Sequence, residues 1–142
     1  MHLEVDQSGR IEETQRDTII AIANKTKHFT TKIPARTKRS IQLSYKKQGR
    51  PKMFAIITFA QIIALTIRKS RLKPSMLSID IEYPGHEQII NQIIKQNIKN
   101  NVVIRFKQIG KSSQAHYWAY FTYKKKFKPN LVAKLKDIKR SP

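Results

Sequence analysis

Apolar and polar positions alternate with a period of two at the start of the chain. Leu3 and Val5 fall on one side, and His2, Glu4 and Asp6 on the other, which predicts a short strand over residues 2–6. Gln7-Ser8-Gly9-Arg10 reads as a turn. The β-branched run from Thr18 to Ala23, closed by Asn24-Lys25, predicts a second strand paired with the first. Residues 25–40 are basic and weakly patterned, with Pro34 as a breaker. Alternation returns in Ser40-Ile41-Gln42-Leu43-Ser44-Tyr45, which predicts a third strand ended by Lys46-Lys47-Gln48-Gly49-Arg50-Pro51.

From Pro51 the period changes. Phe54, Ile57, Ala60, Ile63, Ala64 and Ile67 recur at three- and four-residue spacing, with Pro at the first turn and Arg68-Lys69 where cations suit the helix dipole. Met76-Leu77-Ser78-Ile79-Asp80-Ile81-Glu82, bounded by Pro74 and Pro84-Gly85, alternates sharply. It predicts a fourth strand with Leu77, Ile79 and Ile81 on one face and Ser78, Asp80 and Glu82 on the other. Gly85 to Lys99 carries an isoleucine stripe and predicts a second helix. Val102 to Phe106 predicts a fifth strand, and a third helix follows from Gln114 to about Lys125 with Ser112 or Ser113 as its cap.

A three-strand antiparallel meander followed by alternating helices and strands is an α/β arrangement: a mixed five-stranded sheet, two of its strands parallel, with helices against its faces. At 142 residues and 39% apolar, the chain suits one domain, assigned to residues 1–125, with a basic tail over 126–142. Cysteine is absent, which excludes disulfides, thiolate metal sites and cysteine nucleophiles and suits a reducing, cytoplasmic setting. The longest apolar block, Met53 to Ile67, is interrupted by Thr58, Gln61 and Thr66. It reads as a buried helix rather than a membrane span, and a soluble protein is expected.

Charge changes the picture most. Lys and Arg outnumber Asp and Glu by 29 to 9, a formal charge of +20. An excess of this size favours a polyanionic partner, nucleic acid before an anionic membrane surface, because each phosphate contact releases condensed counterions. Candidate backbone contacts are Lys38, Arg39, Lys46, Lys47, Lys111, Lys124 and Lys125. The rings of Tyr117, Trp118, Tyr120, Phe121 and Tyr123 have the spacing of a helix core, and base stacking is the alternative use for them.

Of the nine carboxylates, eight fall within residues 4–17 and 80–87. If the first and fourth strands lie side by side and parallel, Asp6, Asp80 and Glu82 meet near the carboxyl edge of the sheet, where open α/β sheets bind ligands. Clustered carboxylate oxygens suit Mg²⁺ or Mn²⁺, and such ions support water attack on a phosphodiester. Salt bridges to nearby Lys or Arg are the competing reading of these acids. A His among aromatics, as His116 is, most often packs or hydrogen-bonds.

The segment Glu4-Val5-Asp6-Gln7-Ser8-Gly9 with its meander, the acid-bearing strand Ser78-Ile79-Asp80-Ile81-Glu82 after a long helix, and a last helix carrying His116 together resemble the ribonuclease H-like superfamily. That superfamily includes ribonucleases H and Holliday-junction resolvases, and the resemblance spans residues 2–125. It implies metal binding by Asp6 and by Asp80 or Glu82, with catalysis shared among Asp6, Asp80, Glu82 and His116. The first long helix departs from the ribonuclease H pattern, offering Gln61 where that pattern has Glu. A His in the last helix resembles the resolvase-like branch, and cutting both strands of a junction would call for a homodimer. Two other readings stand beside a metal-dependent nuclease. One is a non-catalytic nucleic-acid-binding module of a ribonucleoprotein on the same fold, and the other is a ribosome-associated protein of unrelated α/β fold.

Overall fold

The computed structural model describes residues 1–138. β1 (His2–Ser8), β2 (Thr18–Ala23) and β3 (His28–Ile33) form the antiparallel meander. Its second turn is set by Asn24, whose side-chain oxygen accepts the backbone N–H groups of Thr26 and Lys27, both at 2.9 Å. β4 (Met76–Asp80) lies parallel to β1, and β5 (Val103–Lys107) lies parallel to β4.

The meander was expected to close with Ser40–Tyr45, and that expectation is corrected. Those residues lie inside α1 (Ala35–Lys47), and the third strand is the preceding segment His28–Ile33. Ile41, Leu43 and Tyr45 fit a strand face, yet Lys38, Ile41 and Tyr45 also recur at helical spacing. They are the buried positions, whereas Leu43 is 53% exposed. Pro34 supplies an extended residue at the helix start, and the Asp17 carboxylate accepts the backbone N–H of Ala35 at 2.9 Å.

Among the described residues the sheet has six strands, not five, in the order β5-β4-β1-β2-β3-β6. β6 (Leu131–Val132) pairs parallel with β3 and comes from the segment read as a tail. Asn130 fixes it there by accepting the Thr30 backbone N–H at 2.9 Å and donating its own to the Thr30 hydroxyl at 3.1 Å, while Ala133 is buried. Residues 139–142 of the assigned tail lie outside the described residues. β4 is also shorter than expected: it ends at Asp80, with Ile81 exposed and Glu82 just beyond.

One face of the sheet carries the main core. Leu3, Val5, Ile20, Ile22, Leu77 and Ile79 point toward α2 (Phe54–Ser70) and α3 (Glu87–Asn97), which meet them with Ile57, Ile63, Ile90 and Ile94. Each such side chain contributes on the order of 2 kcal/mol of hydrophobic stabilisation. The span Pro51–Ser70 is apolar and long enough to cross a membrane, but it is buried within this fold as its central helix. The opposite face is covered, among the described residues, by α4 (Gln114–Tyr123), which sets Ala119 against Ile19 and Ala21 of β2.

Candidate metal centre

Strand register brings the acids together. Val5 pairs with Ile79 across the parallel β1–β4 contact, so Asp6 and Asp80 are the next residues on neighbouring strands, both at the carboxyl edge and both on the α4 face. Glu82 follows as the chain leaves β4. Ligand oxygens from Asp6, Asp80 and Glu82 all lie within 4.8 Å of one another.

Each acid is held differently. Asp6 is buried; its Oδ1 accepts the Gln7 backbone N–H at 2.8 Å, and its Oδ2 lies 3.2 Å from His116 Nδ1. Asp80 accepts the Ile109 backbone N–H at 2.7 Å. Glu82 is gripped by Arg10, whose guanidinium donates one N–H to the Glu82 carboxylate and another to its backbone oxygen, each at 2.8 Å. Burial, followed by repulsion from Asp80, pushes Asp6 up to about 6. Burial and a hydrogen bond shared with Asp80 push Glu82 up to about 7. Crowded carboxylates in a partly desolvated pocket hold protons because both cannot ionise freely.

A hard divalent cation suits this set. The donors are carboxylate oxygens, their spacing lets one ion reach all three, and its charge would favour the ionised form that burial and crowding oppose in Asp6 and Glu82. His116 reaches the cluster because α4 lies across β1 and β2 and starts at the right place. Ser113 caps that helix by accepting the His116 backbone N–H at 3.2 Å. Gln61 belongs to α2, in the helix layer on the other side of the sheet.

Sequence reasoning missed Arg10. It bridges Glu82 to Glu12 at 2.6 Å, and the Tyr83 hydroxyl donates to Glu12 at 2.9 Å, so the β1–β2 loop is tied to the segment after β4. A cation inside an acidic window, just after a turn glycine, was the available signal. Glu4, read as solvated, lies 3.8 Å from Lys107.

The proposed phosphate contacts do not form one channel. Lys111 precedes α4 and Lys124 and Lys125 follow it, all exposed on the side of the acidic cluster. Arg39, Lys46 and Lys47 are exposed on α1, which packs with the α2 layer, and Arg39 donates to the Thr14 backbone oxygen at 2.9 Å. Lys38 is corrected outright. It is fully buried, and its ammonium donates to the backbone oxygens of Arg10 and Glu13 and to the Thr18 hydroxyl, at 3.1, 2.7 and 2.9 Å. Burial pushes that amine down to about 8. No phosphate can touch it.

Comparison with family models, with curated proteins and with solved structures gives no match.

Proposed function

We propose that this chain is a metal-dependent, ribonuclease H-like nuclease that hydrolyses phosphodiester bonds in structured or hybrid nucleic acid. The observation that carries the reading is the convergence of Asp6, Asp80 and Glu82 within 4.8 Å at the carboxyl edge of a mixed sheet, in a chain of charge +20. Asp6, Asp80 and Glu82 would hold Mg²⁺ or Mn²⁺, which would supply Lewis-acid polarisation of the phosphate and charge stabilisation for the displacement.

The remaining work falls to side chains. Asp6 fixes the His116 ring through Nδ1 at 3.2 Å, which leaves Nε2 to take a proton from the attacking water. The water oxygen bonds to phosphorus, the bridging P–O bond breaks, and the departing oxygen takes a proton from solvent. Arg10 holds Glu82 in place at 2.8 Å. Lys111 and Lys124 face the strand.

One contact favours the second reading, a non-catalytic binding module. Arg10 already occupies one Glu82 carboxylate oxygen at 2.8 Å, and α2 contributes Gln61 rather than an acid, so the cluster is one carboxylate short of the ribonuclease H pattern.

The deciding experiment incubates the protein with Mg²⁺ or Mn²⁺ and labelled duplex, hybrid and four-way-junction substrates, beside Asp6→Asn and His116→Gln. Metal-dependent cutting abolished by Asp6→Asn and reduced about 100-fold by His116→Gln supports the nuclease. Salt-sensitive binding with no cutting supports the module.

A further inference from the structure

We propose that the outward face of α4, with the lysine-rich segment beyond it, is a platform on which the bases of single-stranded nucleic acid stack. The inference rests on the nucleic-acid partner proposed above and adds where and how the strand is held.

The helix is inside out. An amphipathic helix ordinarily buries its large side chains, but α4 buries Ala115, Ala119 and Thr122. Its rings were read from the sequence as mostly core, yet Tyr117 is 43% exposed, Tyr120 39%, and Phe127 just past the helix 37%. These rings prop one another: Tyr117 against Phe121 at 4.9 Å between centroids, and Trp118 against Phe127 at 4.8 Å. His28 of β3 stacks flat beneath Trp118, at 3.4 Å and 6°. An apolar patch rimmed by polar groups marks an interaction site.

The rim selects the occupant. Between Glu87 and Asp137 there is no carboxylate, while Lys124, Lys125, Lys126 and Lys128 follow the rings directly. Lys124 stands over the Tyr120 ring at 5.6 Å. Lys125 holds a left-handed backbone, φ 66, at the end of α4 where glycine is usual, and it flanks a cleft of about 390 Å³ also lined by Lys32 and Lys128. Asp17 lines that cleft too and pairs with Lys32 at 3.4 Å, leaving Lys125 and Lys128 for an anion. Rings flanked by lysines suit a strand that offers flat bases and an anionic backbone. The platform starts at the acids, because His116, Tyr120 and Lys124 follow one another along a single face of the helix and His116 touches Asp6.

Trp118 is the sole tryptophan and reports on its neighbours by fluorescence. The test titrates the Asp6→Asn protein, in EDTA, with short oligothymidylate, and repeats the titration with Tyr117→Ala, Tyr120→Ala and the matching Tyr→Phe changes added. The expected result is quenching on binding, affinity lowered roughly 5- to 100-fold by each Ala change and retained by each Phe change. Lys125→Gln should reduce the salt slope by about one phosphate contact, with the stacking signal kept. Unfolding curves establish that each variant is folded. Wild-type affinity and quenching in both Ala variants would overturn the platform while leaving the nuclease reading standing. Absence of binding to any nucleic acid would remove both. A self-association lost in Tyr117→Ala would assign the face to a second copy and overturn the proposal.

Discussion

His116 and Asp6, 110 positions apart in the chain, meet through Nδ1 and Oδ2 at 3.2 Å. The contact joins the two layers of the candidate site. Asp6 stands on a central strand whose other neighbour, β2, is entirely buried, and His116 arrives on α4, which covers that face. The strand sets where the carboxylate is, and the small residues of α4 set how close the ring comes.

Replacing Asp6 by Asn keeps the shape and removes the charge. Without metal, the variant should melt at or above the wild-type temperature, since a crowded buried carboxylate is lost. Wild type should gain about 2.7 kcal/mol of stability when Mn²⁺ is at 100 times its Kd, and the variant should gain almost none. Thermal melts with and without Mn²⁺ check this. An equal metal-induced shift in both proteins would place the ion elsewhere.

Asp6 at about 6 against an ordinary 3.8, and Glu82 at about 7 against 4.5, bind protons more tightly folded than unfolded. Their contribution to stability is therefore complete below the ordinary values and lost as pH rises through about 6 and 7. Glu82→Gln mimics the protonated acid, so in EDTA it should match wild type at low pH and become the more stable protein above about 7. Mn²⁺ competes with those protons, so its affinity for wild type should rise across the same range. Melting temperatures across the pH series, in EDTA and in Mn²⁺, test both slopes; a metal affinity flat from pH 5 to about 8 would contradict them.

Lys38 is structural. Lys38→Met keeps the length of the side chain but leaves the Arg10 and Glu13 backbone oxygens and the Thr18 hydroxyl without their shared donor. The loss should be roughly 2–4 kcal/mol, measured by urea unfolding. The salt slope for nucleic-acid binding should not move. A slope reduced by one would return Lys38 to the surface.

These residues also mark where sequence was readable. Asp6 and Asp80 could be placed because a period of two assigns each a face, and a helical crossover makes their strands parallel. Ile41, Leu43 and Tyr45 misled because three apolar positions two apart satisfy a strand before the helical partner of Ile41, Lys38, is known to be buried. Nothing in a basic stretch announces a lysine whose acceptors come from a loop some 25 residues earlier. β3 was hidden by its own Lys and His, and β6 by its length of two residues. The rings of α4 have core spacing, but the close approach of Ala119 to β2 leaves no room for them inside.

Gly9 links the acids to that helix. Its φ is +73°, a conformation L side chains rarely adopt, and a Cβ there would lie 2.3 Å from the Asp17 backbone oxygen and 2.7 Å from the Tyr123 ring. The ring can swing aside, but the backbone oxygen belongs to the residue that caps α1 and pairs with Lys32, so it cannot yield cheaply. Gly9→Ala should therefore destabilise the fold by roughly 2–4 kcal/mol. The strain falls one residue before Arg10, so the Arg10–Glu82 pair should loosen and the Mn²⁺ affinity should change along with stability. Urea unfolding and Mn²⁺ titration of the same variant check the two effects. A loss under about 1 kcal/mol with unchanged metal affinity would mean that the β1–β2 loop re-forms without the close packing of Gly9 under Tyr123.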